Sequence, residues 1–385
     1  MRYREFKDWR LSEIGFGCYG LSGAYGPVDH EAYRGAIQHA FENGVNFFDT
    51  AEGYGGAEAF LGQALAPFRD EVYIATKLSG AAGAPDLSFT AVKAACEASL
   101  ERLRVEVIDL YQIHFDDPNT PILETVNALD DLVSSGKIRK YGICHLSQES
   151  AWEYAIVGKP FSILMELSPV SRTSLQTLLP ICQEHGMASF AFSITGRGII
   201  SGRYSKDHRF PKGDIRRMDP LFKRERFDSA LRVREYLTEL GNQYGKTAVQ
   251  MGIAWVLAQP SVACALTGTS SITHLDENLV ACEITWQEKD LAALDQFLAE
   301  EEGRLAEAQQ ETLRNLLTND LNQDPEKAFN DLVYVCENAI ILGKVGEVEI
   351  LSTFNELFEL RKSLDKNTQQ KMLGIHEFLR EKIVE

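Results

Sequence analysis

Four polar side chains stand where separate strand-like runs of the sequence end. Asp49 and Tyr54 occur in FFDTAEGYG, Lys77 ends VYIATK, and His114 ends LYQIH. An ammonium close to a tyrosine favours the phenolate, and so lowers the phenol pKa from about 10. A carboxylate beside the lysine would keep the ammonium charged and in place. We therefore hypothesise that Tyr54 is a general acid for a carbonyl oxygen, tuned by Lys77 and Asp49.

Short apolar runs, bounded by turn residues and separated by helix-length amphipathic segments, position these four groups. Such runs are typical of parallel strands in an α/β sheet. We predict eight strands, over 14–18, 45–49, 72–77, 110–114, 140–144, 163–167, 188–193 and 262–266. Eight strands of this kind predict a (β/α)8 TIM barrel, whose active groups lie on the C-terminal loops. The opening segments MRYREF and WRLSEI predict a hairpin at the other end.

These motifs resemble the aldo-keto reductase superfamily. Asp49, Tyr54, Lys77 and His114 match its Asp, Tyr, Lys and His tetrad, and GFGCYGLSGAYGPVD, residues 15–29, resembles its first-strand loop. The resemblance runs from the N-terminus to about residue 298. It implies an NADP(H)-dependent oxidoreductase that reduces an aldehyde or ketone to an alcohol, or catalyses the reverse. In that chemistry Tyr54 is the general acid/base, His114 orients the carbonyl oxygen, and no metal is needed.

The resemblance also implies a set of dinucleotide contacts. Phe192 matches the aromatic residue that stacks on the nicotinamide. The residues that match the pyrophosphate loop and the adenosine motif are Ser193, Thr195, Gly196, Arg197 and Gly198, then Gly268, Thr269, Ser270, His274, Glu277 and Asn278. NADP is the family default. NAD is not excluded, because the usual basic residue near Ser270 is missing, which leaves His274, Arg197 or Arg203 as candidates for a 2′-phosphate.

Three positions depart from the family's nicotinamide carboxamide site. Cys144 and His145 stand where a Ser-Asn pair is usual, and Leu164 aligns with a glutamine. Loss of an amide partner costs about 1 to 3 kcal/mol when a buried polar group is left unpaired. His145 is a candidate substitute, because an imidazole can both donate and accept a hydrogen bond. The alternative interpretation is that Cys144 and His145 only pack.

Two further loops are of interest at the barrel mouth. Tyr19 and Tyr25, in the first loop, are candidate substrate contacts. The basic stretch over 206–226 is either a solvated loop or a segment that closes over the dinucleotide phosphates.

Composition restricts the remaining possibilities. The 385 residues are 44% hydrophobic and 25% charged, which fits a large globular core with an appendage. The sequence has no apolar run of the roughly 18 residues that a membrane span needs, and MRYREFKDWR lacks a signal-peptide centre, so we predict a cytoplasmic protein without a membrane partner. Seven cysteines without CxxC spacing predict reduced thiols and no zinc site. A net charge of −17 argues against a nucleic-acid partner.

The barrel pattern stops at about residue 298. We therefore predict a barrel domain over 1–298 and an all-α C-terminal extension over 299–385, built from three to five amphipathic helices. The apolar stripes of these helices fit a bundle that packs on the barrel or on a second subunit, or a module that docks a protein partner. The extension is thus a candidate for homo-oligomer or partner contacts.

Two functional classes stay open. The tetrad favours a reductase acting on a small-molecule carbonyl substrate. The altered carboxamide site and the extension favour an alternative, a barrel with weakened or lost redox turnover. Such a barrel would serve as a nucleotide-sensing or scaffold subunit, or as a non-redox acid-base enzyme.

Overall fold

A closed barrel of eight parallel strands forms the first part of the chain. The computed structural model describes residues 1–80, 85–322, 324–341, 353, 356, 357, 360 and 366–383. The barrel strands are β3 (Ile14–Gly17), β4 (Phe47–Asp49), β5 (Tyr73–Leu78), β6 (Ile108–Ile113), β7 (Ile138–Cys144), β8 (Ser162–Glu166), β9 (Ala188–Phe192) and β10 (Val262–Thr267). They follow one another in chain order, and β10 pairs with β3 to close the ring. The predicted (β/α)8 barrel is confirmed, and each predicted strand overlaps an observed one.

An antiparallel hairpin precedes the barrel. It consists of β1 (Tyr3–Phe6) and β2 (Trp9–Ser12), which pair in register. Trp9 stacks on Tyr73 with ring centroids 4.4 Å apart and contacts Phe161 at 4.6 Å. Tyr73 begins β5 and Phe161 immediately precedes β8, so the hairpin covers the N-terminal ends of the strands. The C-terminal ends are left for the polar groups.

Helices surround the strands of the barrel. Their bounds are α1 (His30–Glu42), α2 (Ala57–Leu65), α3 (Phe89–Leu103), α4 (Ile122–Ser134), α5 (Gln148–Val157), α6 (Leu179–His185), α7 (Arg224–Tyr244), α8 (Ala248–Ala258) and α9 (Ile272–Leu279). Local sequence fixes several of their ends. Thr247 and Gln250 form a capping box at the start of α8, and Gly245 ends α7 in the left-handed conformation that glycine adopts most easily.

The barrel interior is filled by large apolar side chains. Phe47 of β4 and Phe190 of β9 stack across it with ring centroids 4.6 Å apart. They belong to a cluster that also contains Leu110, Cys144 and Leu164. This packed apolar interior makes the strands a rigid support for the side chains at their C-terminal ends.

The chain divides into two compact units, Met1–Leu291 and Ala292–Glu385. The second unit is helical, as predicted. Its helices are α10 (Glu288–Thr318), which begins just before the boundary, α11 (Pro325–Ile341) and α12 (Lys366–Ile383). Leu313, Leu332, Val335, Met372 and Leu379 are among the residues of its own apolar cluster. Another of the predicted amphipathic helices, the sequence EILSTFNELFELRKSL over 349–364, lies mostly outside the described residues. Within the described part of the chain, none of the helices combines the length and apolar character that crossing a bilayer requires.

Candidate active site

The four tetrad residues come from three neighbouring strands of the barrel. Asp49 is the last residue of β4, Lys77 lies near the end of β5, and His114 follows β6 directly. Tyr54 lies in the loop between β4 and α2. Because all three strands are parallel, their ends meet at one rim. The structure therefore brings together all four residues that the sequence singled out.

Asp49 and Lys77 form a buried ion pair beneath the rim. The Lys77 Nζ donates to Asp49 Oδ1 at 2.6 Å and to the backbone oxygen of Thr50 at 2.7 Å. Lys77 is 0% and Asp49 4% exposed. Burial by itself lowers the pKa of Lys77, but the charge and hydrogen bond of Asp49 raise it above its ordinary value. The ammonium is therefore charged at neutral pH.

The Tyr54 hydroxyl lies next to this ion pair. Its oxygen is 3.5 Å from Lys77 Nζ, and the same nitrogen lies 5.0 Å from the centroid of the Tyr54 ring. The net pKa shift differs from the sequence prediction. Burial raises the pKa of Tyr54 well above its ordinary value, and the opposing effect of Lys77 is smaller. The phenol is thus fully protonated at neutral pH, because desolvation of the phenolate outweighs the attraction of the ammonium.

His114 faces Tyr54 and is uncharged. The two ring centroids are 5.7 Å apart in an edge-on arrangement. Burial, and then the Lys77 charge and His145, lower the pKa of His114 to about 2. Its Nδ1 is 2.6 Å from the Ser79 hydroxyl oxygen, which leaves Nε2 for another partner. A neutral imidazole held in this way can donate a hydrogen bond to a carbonyl oxygen.

Two supporting residues were not identified from the sequence. Ser79 holds His114, and the Gln112 amide nitrogen lies 3.3 Å from Asp49 Oδ2. A signal for both was present. Gln112 is two residues before His114 and Ser79 two residues after Lys77, so the two-residue period of a strand places each on the same face as a tetrad residue.

The altered carboxamide site is mostly apolar. Cys144 and Leu164 are register partners on β7 and β8, and they are 1% and 3% exposed within the interior cluster. His145 is exposed, and its ring centroid lies 5.0 Å from that of Phe192 at the end of β9. Of the three departures from the family pattern, His145 is thus the one with a polar group at the open rim.

The loop after β9 has an unusual backbone. Ser193, Gly196, Arg197 and Gly198 all have positive φ angles, of 57°, 57°, 52° and 89°. Turns that combine right- and left-handed residues can direct backbone N–H groups toward an anion. Gly196 also has no room for a side chain, because an added Cβ would lie 2.4 Å from a Val170 methyl. Thr195 lies within this loop and accepts a backbone bond from Gly198 at 3.2 Å.

The Arg197 side chain is occupied by protein carboxylates. It makes a two-point contact with Glu166 at 2.8 and 3.0 Å, and its Nε lies 2.8 Å from Asp219. Asp219 belongs to the long loop after β9, so this network ties the two ends of that loop to β8. The positive charge of Arg197 is already compensated within the protein.

The residues matched to the adenosine end lie after β10. Gly268 approaches β3 closely, since an added Cβ would lie 2.5 Å from the Gly17 carbonyl oxygen. Thr269 Oγ1 accepts from the Ser271 backbone at 3.0 Å, and Ser270 between them is partly exposed. Ser271 in turn caps α9 through the backbone nitrogen of His274.

Three side chains of this segment have clear partners. His274 contacts the Arg203 guanidinium near the start of α9. Glu277 accepts from the Thr247 hydroxyl at 2.7 Å, and the buried Asn278 donates to Thr267 Oγ1 at 2.5 Å. Glu277 and Asn278 therefore join α9 to α8 and β10. Of these three residues, His274 is the one that lies beside a positively charged side chain, that of Arg203.

The two tyrosines of the first loop extend from the tetrad toward solvent. Tyr19 contacts Tyr54 edge-on at 5.0 Å between centroids, and Tyr25 contacts Tyr19 at 5.6 Å. Arg216, from the basic stretch, lies 4.9 Å from the Tyr25 ring centroid. The backbone nitrogen of Ile215 also donates to the Ala24 oxygen at 2.8 Å. The basic stretch thus packs on the first loop at the barrel mouth.

Comparison with known proteins gives one consistent result. The model of the aldo/keto reductase family matches residues 13–299. Probable aldo-keto reductase 1 of Glycine max is 34% identical over 294 residues, which cover 74% of this chain and 85% of that protein.

Two solved structures resemble the fold. A glycerol dehydrogenase from Gluconobacter oxydans has a TM-score of 0.71 and 29% identity, over 78% of this chain and 95% of the other. An aldo-keto reductase from Klebsiella pneumoniae in complex with NADPH has a TM-score of 0.60 and 27% identity, over 77% and 95%. With its tetrad gathered at the rim of a closed barrel, this chain belongs to the aldo/keto reductase family.

Proposed function

We propose that this protein is an NADP(H)-dependent oxidoreductase that reduces an aldehyde or ketone to an alcohol, or catalyses the reverse. The observation that carries the proposal is the protonated Tyr54 phenol, 3.5 Å from the ammonium of the buried Asp49–Lys77 pair and facing the neutral His114. A carbonyl oxygen placed between Tyr54 and His114 would meet two hydrogen-bond donors.

The residues at the rim fit a nicotinamide dinucleotide. Phe192 offers a ring face, and the turn over 193–198, with positive φ at four of its six residues, is suited to a pyrophosphate. Gly268 lets the chain after β10 lie close against β3 at the same rim. The dinucleotide supplies the hydride when it is bound. The protein's own residues then have to orient the carbonyl group and provide the proton.

Proton delivery is assigned to Tyr54. Its hydroxyl donates to the oxygen as negative charge develops there, and the alkoxide that forms is a stronger base than a phenolate. Lys77, held by Asp49, stabilises the phenolate that remains. The Nε2 of His114, positioned through Ser79, donates a second hydrogen bond to the same oxygen.

The preference for NADP over NAD is assigned to Arg203 and His274. Their side chains are in contact, and His274 lies in the first turn of α9, where the helix dipole also favours an anion. Arg197, the third candidate for the 2′-phosphate, is already paired with Glu166 and Asp219. The Klebsiella relative that contains NADPH supports the same cofactor.

A second candidate function has an observation of its own. Cys144 and Leu164 are buried and apolar where the family has a serine and a glutamine that bind the amide, which weakens the hold on a nicotinamide carboxamide. This favours a barrel that binds the dinucleotide but turns over slowly. A wild-type protein that binds NADPH yet reduces no reactive aldehyde would support this alternative over the first.

The test is a comparison of Tyr54→Phe with Tyr73→Phe. Tyr73 is the matched control, because it is a tyrosine on β5, the strand that carries Lys77, but lies at the opposite end of that strand, away from the tetrad. Tyr54→Phe should lower kcat for a reactive aldehyde by about 100-fold or more, since general acid catalysis contributes roughly 10²–10⁴. NADPH affinity, followed by quenching of intrinsic fluorescence, should stay nearly unchanged. A Tyr54→Phe variant that keeps most of the wild-type rate would exclude Tyr54 as the proton donor.

A further inference from the structure

Three metal-binding side chains converge at the rim beside the tetrad. His114, Cys144 and His145 each offer one ligand atom, and these atoms all lie within 4.8 Å of one another. His114 follows β6 and Cys144 ends β7, and these neighbouring strands pair in register up to Ile113 and Ile143. The sequence prediction of no metal site considered only spacing along the chain, whereas this cluster forms between two strands.

The cluster is open on one side only. His114 and Cys144 are 5% and 1% exposed, while His145 is exposed to solvent. Since Ser79 contacts Nδ1 of His114, the other ring nitrogen is left for the cluster. A hydrogen bond to the second nitrogen is the usual way in which proteins orient a metal-binding histidine.

The donor set selects a class of cation. Two imidazoles and one thiolate suit a borderline-soft divalent ion such as Zn²⁺, which binds nitrogen at about 2.0–2.1 Å and sulfur at about 2.3 Å. Because His145 is exposed while His114 and Cys144 are buried, its ring is the donor with the most room to adjust toward such an ion. Three protein ligands leave a fourth position for water or another small ligand.

We propose that His114, Cys144 and His145 form a binding site for a Zn²⁺-like divalent cation, and that occupancy of this site excludes carbonyl reduction. The cation replaces the thiol proton of Cys144, which passes to solvent as the metal–sulfur bond forms. It also takes the nitrogen of His114 that would otherwise donate to the carbonyl oxygen. Binding of the cation would thus inhibit the enzyme, an effect that the tetrad alone does not predict.

The first experiment measures metal binding to the full chain without dinucleotide or substrate. Zn²⁺ is titrated in competition with a chromophoric chelator, and Co²⁺ is used as a spectroscopic probe. The wild type should bind one equivalent of Zn²⁺ and give a thiolate-to-cobalt charge-transfer band. Cys144→Ser and His145→Asn should each weaken Zn²⁺ binding by at least about 100-fold, because even loss of a residue that only hydrogen-bonds to a metal ligand costs roughly 10–100-fold.

Matched controls separate this site from other thiols and histidines. Cys182→Ser removes a buried thiol of α6, and His208→Asn removes an exposed histidine of the loop after β9. Both variants should bind Zn²⁺ as the wild type does and keep the cobalt band. Cys144→Ser should lose the band completely, whereas His145→Asn should keep a weakened one.

The assignment is overturned if the wild type binds no stoichiometric Zn²⁺, or if Cys144→Ser and His145→Asn bind it as tightly as the wild type. Should Cys144→Ser fail to fold, His145→Asn decides the matter, since its side chain is exposed. Neither readout uses turnover, so a failure of the proposed reductase function would not be mistaken for a failure of the metal site.

A final measurement concerns the inhibitory part of the proposal. With NADPH and a reactive aldehyde, Zn²⁺ should slow the wild-type rate, and a chelator should restore it. The residual rate of His145→Asn should be insensitive to the same Zn²⁺ concentration. A wild-type rate that is unchanged with the site filled would refute the exclusion of carbonyl reduction and leave only the binding site.

Discussion

At the residue scale, burial controls the protonation of the tetrad. The Tyr54 phenol and the His114 imidazole are both held in their neutral forms, in each case because desolvation penalises the charged form most. Lys77 is the exception, since Asp49 compensates its charge. Each group is therefore in the state that carbonyl reduction requires, with two neutral donors above one fixed ammonium.

The direction of the Tyr54 pKa shift predicts the pH dependence of reduction. A raised pKa keeps the acid form dominant to higher pH, so kcat for aldehyde reduction should stay level from pH 7 to about pH 9, below the ordinary phenol pKa of about 10. Steady-state kinetics at saturating NADPH, with circular dichroism at each pH to verify the fold, provides the measurement. A kcat that falls already between pH 7 and 8 would contradict this direction of the shift.

Ser79 should act by positioning His114. Ser79→Ala removes the partner of Nδ1, and one net hydrogen bond contributes about 0.5–1.5 kcal/mol, so kcat should fall by roughly 2- to 10-fold. NADPH affinity should change little. Ser134→Ala, at the exposed end of α4, is the control and should leave kcat unchanged. Equal kcat values for the two variants would show that Ser79 does not position His114 for catalysis.

At the element scale, the contact between β3 and the end of β10 closes the barrel next to the proposed dinucleotide site. Gly268 lies where only a hydrogen fits against the Gly17 carbonyl oxygen. Thr267, at the end of β10, also holds α9 in place, because its hydroxyl oxygen accepts a hydrogen bond from Asn278. A change in this strand end should therefore alter both stability and cofactor binding.

Gly268→Ala tests this coupling. The added methyl must displace backbone, which costs about 1–3 kcal/mol in the free energy of unfolding, and NADPH affinity should fall as well. Gly35→Ala is the matched control, because that glycine lies inside α1 with nothing within 4 Å of an added Cβ. It should stabilise the chain by about 0.5–1 kcal/mol. Urea unfolding with NADPH titration measures both effects, and a Gly268→Ala variant as stable as the wild type would refute the close contact.

At the scale of the whole molecule, the helical unit has an apolar cluster of its own. Residues of α10, α11 and α12 contribute to it, and the barrel closes without them. We therefore propose that the barrel domain over 1–298 folds by itself and that the helices over 299–385 serve association with a second copy or a protein partner.

A truncated chain tests that proposal. A chain that ends at Glu302 keeps Leu294, Leu298 and Glu301, the buried residues in the first half of α10, and should still fold and bind NADPH. Its association state should differ from that of the full chain, because the amphipathic helices are gone. Light scattering on both chains, with an NADPH titration, gives the answer. An unfolded truncated chain, or one with an unchanged association state and unchanged partners, would contradict the proposal.

The sequence alone determined the strands, the barrel and the positions of the tetrad. Apolar runs and turn residues are local patterns, and parallel strands bring their ends to one rim whatever the details of packing. That is why Asp49, Lys77 and His114 could be assigned to neighbouring strand ends, and why Tyr54 could be placed beside them.

The tertiary structure decided what those residues and their neighbours contact. The sign of the Tyr54 pKa shift depends on a balance between burial and a charge 3.5 Å away, which no local pattern contains. The pairing of Arg197 with Glu166 and Asp219 and the meeting of His114 with Cys144 and His145 join residues distant in sequence. Such contacts depend on side-chain distances in the folded barrel, and those distances are set by packing across strands rather than by the order of residues along the chain.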